Sequence, residues 1–329
     1  MTRRVTILGA NGRLGSELAL RLKAVEDIEV IGICRNLAGS AFLRLNGVPC
    51  RLGSVADREA ARDLLGDADV VVNLAYAFPR SLTEHRANLA LVKNSVEVAK
   101  SGATVVLAST IMVYGPAFRV SLPDAYGFEK LRLERVFRRC ATRRSVDAHV
   151  FRIGHALGDL QPLTRQIQAE LRRGRASVGP DDTTPSNTIY VASLAEAIDK
   201  VSGGFPRTVD LVSSPQWTWG EVYSSYARAL GVPVICSDQA VEGWGLKRVV
   251  REAAYATMQV LPERLADRVH GRFLIDRARR ELTAGVTRAP APLAIEATRW
   301  RGLTGRALTG LSDPAAAIVR YPLPPLQIG

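Results

Sequence analysis

The sequence predicts an α/β chain, a doubly wound parallel sheet joined to a smaller mixed α/β region toward the C-terminus. Three observations predict it. Short β-branched runs alternate with helical stretches through the first 150 residues. A glycine-rich turn, beginning at Gly9, follows the first of those runs. The run Val70-Val71-Val72-Asn73-Leu74 is apolar almost throughout, as expected of a strand buried on both faces.

In chain order, residues 5–8 form a first strand and 14–25 a helix. Residues 30–34 and 50–52 are the second and third strands, and 70–74 the fourth. Leu89, Val92, Val96 and Ala99 repeat at helical spacing and mark a helix over 84–101. A strand over 104–108, a helix over 126–141 and a strand over 148–153 continue the alternation. Beyond Gly158 the pattern loosens. Residues 164–173 are helical, and 174–185, rich in Gly, Pro, Asp and Thr, form a loop. Residues 189–201 run from strand to helix, 209–212 are a short strand, and 219–231 are a helix stopped by Gly231. Residues 242–268 read as helical and Arg-rich. The four prolines from Pro314 onward suggest a tail wrapped on a surface. Residues 1–158 with 186–213 are therefore assigned to a nucleotide-binding domain, and 159–185 with 214–329 to a lid that contributes the substrate site.

Composition narrows the class. The 329 residues are 47% hydrophobic and 23% charged, as in a globular protein with a sizeable core. No apolar run approaches the length that crosses a bilayer, and the expected location is cytoplasmic. Cys34, Cys50, Cys140 and Cys236 lack metal-ligand spacing and read as reduced, so no metal is expected. The net charge of +12 comes from 38 Arg and 6 Lys scattered along the chain without interleaved aromatics. That pattern fits solvated faces and phosphate-bearing small ligands, and argues against nucleic acid or membrane as partners.

Gly9-Ala10-Asn11-Gly12-Arg13-Leu14-Gly15 leaves a strand and opens a helix, the setting of a Rossmann-type dinucleotide site. Glycines allow the tight turn and bring backbone N–H groups to a pyrophosphate at the helix N-terminus. Leu74 and Ala75, ending the fourth strand, are expected beside the same ligand. An acidic residue commonly ends the second strand and takes the ribose hydroxyls of NAD. Here the stretch is Ile33-Cys34-Arg35-Asn36. Arg35, helped by Arg13, suits a 2′-phosphate instead, so the expected cofactor is NADP(H).

Tyr126 and Lys130 stand four apart at the start of a helix, on one face. A free phenol has a pKa near 10 and is a poor acid–base catalyst at neutral pH, and a nearby ammonium favours the phenolate. Thr110, at the end of the preceding strand, can hold a substrate oxygen beside the phenol. Trp217, Trp219 and Trp244 can line a pocket, with core packing the simpler role.

Taken together these residues resemble the extended short-chain dehydrogenase/reductases, the NAD-dependent epimerase/dehydratase family. The segment from Ala108 to Gly115, ending Val113-Tyr114-Gly115, is similar to the family's strand-end segment, with Thr110 at the catalytic Ser/Thr position. Arg152-Ile153-Gly154-His155, Thr188-Ile189-Tyr190-Val191 and the stretch from Ile275 to Leu282 resemble later family segments. The resemblance implies that Asp57 meets the adenine amino group. It places Asn88 near the active centre and His155 at a substrate-contact position. It also implies a homodimer paired through the helices over 84–101 and 126–141.

The departures matter as much. Ile111 and Met112 stand where the family's dehydratases carry an acidic pair, which argues against dehydration and leaves both residues as apolar substrate contacts. Ser186 stands where many nucleotide-sugar enzymes place a diphosphate-binding Arg; Arg264, Arg268 or Arg272 can compensate. The leading expectation is an NADPH-dependent ketoreductase acting on a sugar-like or other oxygenated carbonyl compound. The alternatives are a (nucleotide-)sugar epimerase that retains its cofactor, and a non-catalytic cofactor-sensing protein.

Overall fold

A computed structural model describes residues 2–77, 82–114, 125–201, 205–213, 216–236 and 314–327. Seven parallel strands form the main sheet: β1 (Arg3–Leu8), β2 (Ile28–Cys34), β3 (Cys50–Leu52), β4 (Val70–Asn73), β5 (Thr104–Thr110), β6 (Asp147–Ile153) and, after a second small sheet, β9 (Thr208–Leu211). Their order is β3-β2-β1-β4-β5-β6-β9, and the chain reverses its direction of travel across the sheet between β3 and β4. This is the Rossmann-like topology, in which ligands bind outside the carboxyl ends of the strands at the switch point. β1 lies at the centre of the switch, with Val5 opposite Val30 on one side and Val70 on the other.

Side chains alternate across the sheet and both faces are buried. Val5, Ile7, Val30, Val72, Val106 and Phe151 face one core with α1 (Arg13–Lys23) and α7 (Val191–Lys200). Leu8, Ile31, Ile33, Val71, Val105 and Val150 face the other with α3 (Arg58–Leu65), α4 (Leu82–Glu97) and α5 (Ala125–Ala141). Burial on both sides explains why β4 is a continuous apolar run. Two short helices add to those expected: α2 (Ala41–Leu45), only five residues long, and α3, whose eight residues bury Ala61, Leu64 and Leu65 on one face.

A two-stranded parallel sheet, β7 (His155–Leu157) with β8 (Thr188–Tyr190), leads away from β6. There Leu157 packs with α6 (Pro162–Arg172) and α8 (Trp219–Leu230) around the fully buried Trp219 and Tyr223. Thr218 and Glu221 close a capping box on α8, and Gly231 ends it at φ 66. The tail differs from a simple wrap. Pro314–Arg320 forms a helix, α9, that packs on α7. Tyr321 is fully buried in the first core and donates its hydroxyl to Asp199 at 2.6 Å. Residues 314–327, grouped by sequence with the lid, thus pack on the main sheet's first core and α7. The expected helix over 242–268 lies outside the described residues.

Candidate active site

The glycine turn is built for close approach. Gly9 has φ +75, and a Cβ there would come within 2.9 Å of the Ala75 backbone. A Cβ on Gly15 would lie 2.3 Å from the Gly9 carbonyl oxygen. Gly12 caps α1 without a side-chain hydrogen bond, and α1 has no acidic residue in its first turn. Its first N–H groups are therefore left for an anionic ligand, reinforced by the positive helix end. Arg13 is the exposed first residue of α1, and Leu14 packs partly against the core.

Deeper in the molecule, Glu17 anchors this helix. It is fully buried and accepts hydrogen bonds from Arg21, from the Asp159 and Leu160 backbone, and from Gln161. A Cβ on Gly158 would fall 2.3 Å from its carboxylate. The glycine turn is thereby fixed to the segment after β7.

Beside the turn opens a cavity of about 230 Å³, lined by Gly9 and Asn11, by Ile33 and Arg35, by residues 53–56, and by Ala75, Tyr76 and Asn88 among others. Arg35 is exposed at the end of β2, and no carboxylate from that strand end faces the cavity. Two asparagines of α4 hold its walls. Asn88 donates to the Ala77 carbonyl at 2.8 Å and accepts from the Ala77 N–H at 3.2 Å. Asn94 donates to the carbonyls of Val55 and Ala56. Asn73 accepts from the Ala75 N–H at 3.1 Å and sets the turn after Leu74. Asp57, exposed next to that wall, caps α3 by accepting the Ala60 N–H at 2.9 Å.

Thr110 ends β5, and Tyr126 and Lys130 stand on α5, which packs against that strand. The Lys130 ammonium donates to the Ala108 carbonyl at 3.1 Å and lies 5.7 Å from the centre of the Tyr126 ring. Burial pulls the Lys130 pKa down to about 8, opposed by the charges of Glu129 and Glu134. Thr110 is buried, and its hydroxyl accepts the Met112 N–H at 3.2 Å. Ile111 is buried against Val212, with Met112 packed beside them.

A buried polar network supports this corner, and no sequence motif announces it. Glu134, one turn beyond Lys130 and fully buried, accepts from Ser109 at 2.6 Å, from both Nε and Nη2 of Arg152, and from Arg138. Arg152 also donates to the Tyr114 hydroxyl, which donates to Asp210. Burial pushes the Glu134 carboxyl up, but hydrogen bonds from Arg152 and Ser109 and the nearby guanidinium charges hold it below the usual range. On the other side of α5, Glu129 pairs with His85 at 3.0 Å, and Arg132 contacts the same imidazole. The local clues to these contacts are the three-residue spacing of Glu129–Arg132 and the four-residue spacing of Glu134–Arg138.

The remaining expected site residues lie farther along the strand ends. The His155 ring sits 5.9 Å from Trp219, and burial lowers its pKa to about 4, leaving it neutral at neutral pH. Its backbone N–H bonds to the Asn187 carbonyl, presented by a left-handed turn at φ 49. Ser186 is buried and spent on Thr188 at 2.9 Å. Trp217 stacks edge-on with Tyr190, and Trp219 belongs to the lobe's core. Arg264, Arg268, Arg272 and Trp244 lie outside the described residues. Among the described residues, no group of three His, Cys, Asp or Glu side chains is placed to hold a metal ion, and no helix is long and apolar enough to cross a membrane.

Solved structures share this architecture. UDP-glucose 4-epimerase of Thermotoga maritima, solved with UDP-glucose, is 15% identical with a TM-score of 0.57, over 73% of this chain and 87% of that one. UDP-glucuronic acid 4-epimerase of Bacillus cereus, solved with UDP-glucuronic acid and NAD, is 17% identical with a TM-score of 0.56, over 84% and 99%. dTDP-glucose 4,6-dehydratase of Bacillus anthracis, solved with NAD, is 15% identical with a TM-score of 0.53, over 77% and 91%. At these identities the likeness is one of fold. No curated protein matches the chain. The model of the NAD dependent epimerase/dehydratase family matches residues 5–173, which span the glycine turn, the cavity walls and the Thr110–Tyr126–Lys130 corner. With more than half of its length matched, the chain is an enzyme of the NAD dependent epimerase/dehydratase family.

Proposed function

We propose that the protein binds NADP(H) along the glycine turn and the adjoining cavity, and uses Tyr126 as the proton-transfer group of a carbonyl reductase. The observation that carries this reading is the placement of a buried ammonium beside the Tyr126 ring at the end of β5, a short way from a cavity whose β2 end offers Arg35 and no carboxylate. The turn suits the cofactor: glycines at 9 and 15 let it fold tightly against the Ala75 and Ala10 backbone, and the first N–H groups of α1 have no side-chain cap.

Gly9, Asn11, Gly12, Arg13, Leu14 and Gly15 hold the pyrophosphate, Arg35 with Arg13 the 2′-phosphate, and Leu74 and Ala75 the adjoining wall. Residues 1–158 with 186–213 are the cofactor domain, and the substrate enters from the lid side. When bound, the cofactor supplies the hydride. Thr110 donates a hydrogen bond to the substrate oxygen, and Tyr126 delivers the proton to it. Lys130, still largely protonated at neutral pH, favours the phenolate that remains. Ile111 and Met112, the two residues after Thr110, supply no second acid or base, which supports reduction over dehydration. Asn88 acts through the Ala77 backbone, and His155 is a neutral hydrogen-bonding group at the substrate end.

Calorimetric titration tests the cofactor: NADPH is expected to bind at least tenfold more tightly than NADH, with the preference lost in Arg35→Ala. Tighter NADH binding would overturn the assignment. Full turnover by Tyr126→Phe would overturn the proton-transfer role. A second reading, epimerisation with retained cofactor, draws on the family match. Cofactor co-purifying with the protein, with substrate conversion but no net NADPH consumption, would select it. A homodimer paired through α4 and α5 is proposed as well, and a monomeric mass at micromolar concentration would refute it.

A further inference from the structure

Tyr76 follows β4 by three residues and belongs to no motif, yet among the described residues its ring is the nearest aromatic group to the Lys130 ammonium. The Nζ lies 4.6 Å from the ring centre, closer than to the Tyr126 ring. The Tyr76 and Tyr126 rings meet edge to face, with centroids 5.4 Å apart and planes at 70°. We propose that Tyr76 is a positioning residue of the active centre, whose ring face holds the Lys130 ammonium and whose edge-to-face contact orients the Tyr126 phenol. The inference rests on the reading of Tyr126 and Lys130 as the working pair.

Lys130 is 6% exposed and its ammonium carries three N–H donors, of which one reaches an oxygen, the Ala108 carbonyl. The two carboxylates close enough to act on it through space are committed elsewhere. Glu129 faces His85 and Arg132, and Glu134 faces Ser109, Arg138 and Arg152. No carboxylate oxygen of the described residues forms an ion pair with Lys130. The groups around the ammonium are thus Tyr126, Glu129 and Glu134 on α5, the Ala108 carbonyl on β5, and the Tyr76 ring from the segment after β4. A desolvated cation over an aromatic face is attracted by the ring quadrupole, and the attraction strengthens as water is excluded. The ring therefore favours the protonated lysine, which in turn favours the Tyr126 phenolate. An aliphatic side chain at 76 would fill space without supplying that field.

The test titrates Lys130 directly in the full-length chain. With lysine 13C-labelled at Cε, six lysines give six signals, and Lys130→Met assigns the one of interest. In the wild type, Lys130 is expected to titrate near pH 8, well below the ordinary lysine value of 10.5. Tyr76→Phe keeps the ring and should leave that midpoint within about 0.3 unit, while Tyr76→Leu should lower it by about one unit. Trifluorophenylalanine at position 76 keeps the shape of phenylalanine and drains the ring's negative face. It should lower the midpoint relative to Tyr76→Phe, and this pair stays informative if Tyr76→Leu does not fold. Equal midpoints for phenylalanine and trifluorophenylalanine would overturn the proposal. So would a Tyr76→Phe shift as large as that of leucine, because the hydroxyl rather than the ring would then be responsible. Full turnover by Tyr126→Phe would instead dismiss the catalytic reading and leave the lysine titration untouched.

Discussion

Lys130→Met is expected to stabilise the protein while abolishing its turnover. Burial brings the Lys130 pKa from 10.5 to about 8. That difference of roughly 2.5 pH units corresponds to about 3 kcal/mol of penalty for carrying the buried charge at neutral pH, at ~1.36 kcal/mol per unit. Methionine occupies a similar volume without a charge. It also leaves the Ala108 carbonyl without its donor, a loss of about 1 kcal/mol. The net gain is then about 2 kcal/mol at pH 7, or about 3 °C in melting temperature for a chain of this length.

The sign of the pH dependence is fixed. Between the native value near 8 and the unfolded value of 10.5, the unfolded chain binds the proton and the native chain does not, so wild-type stability rises with pH across that window. The variant's advantage is full below pH 8 and fades toward pH 10.5. Thermal or denaturant melts of both proteins at pH 7 and pH 10 measure it. A variant that melts below wild type at pH 7, or an advantage equal at both pH values, would refute the reasoning. Confirmation would show that the lysine is kept at a cost to stability, as expected at a functional position.

Three further outcomes follow from the geometry. Gly15→Ala places a methyl 2.3 Å from the Gly9 carbonyl and 2.9 Å from the Ala10 Cα, both rigid backbone; it should cost about 1–3 kcal/mol in denaturant melts and weaken cofactor binding at least tenfold. Asn88→Ala removes both bonds to Ala77 and should raise the cofactor Kd several-fold in calorimetry, for about 1 kcal/mol of stability. Glu134→Gln discharges one side of the buried pair with Arg152 and should cost about 3 kcal/mol at pH 7. Because the Glu134 carboxyl is held below its ordinary value of 4.5, its contribution is present above that pH and is lost as pH falls through the lower native value. The gap between wild type and Glu134→Gln should therefore narrow in acid melts; a gap constant from pH 7 to pH 3 would contradict the assignment.

Sequence alone determined the features that depend on neighbours along the chain. Strand and helix order follow from apolar runs and a 3.6-residue period, and β4 and α5 emerged within one or two residues of expectation. The glycine turn was legible because only glycine tolerates the backbone of Gly9 and the crowding at Gly15. Tyr126 and Lys130 were legible because a helix places residues four apart on one face. Asp57 carries a demand that is local and legible: three residues before Ala60, it caps α3.

Tertiary structure decided whatever depends on strand order. Tyr76 meets Lys130 because β4 and β5 are adjacent in the sheet and α5 packs back over them, a juxtaposition of residues 54 positions apart that leaves no periodic trace. Glu17 meets residues 158–161, and Arg152 meets Glu134, for the same reason. The tail reaches back to Arg21 through the Tyr321 carbonyl across 300 positions. Local periodicity records which face of an element is buried, and the crossovers that permute the strands determine what each buried face meets.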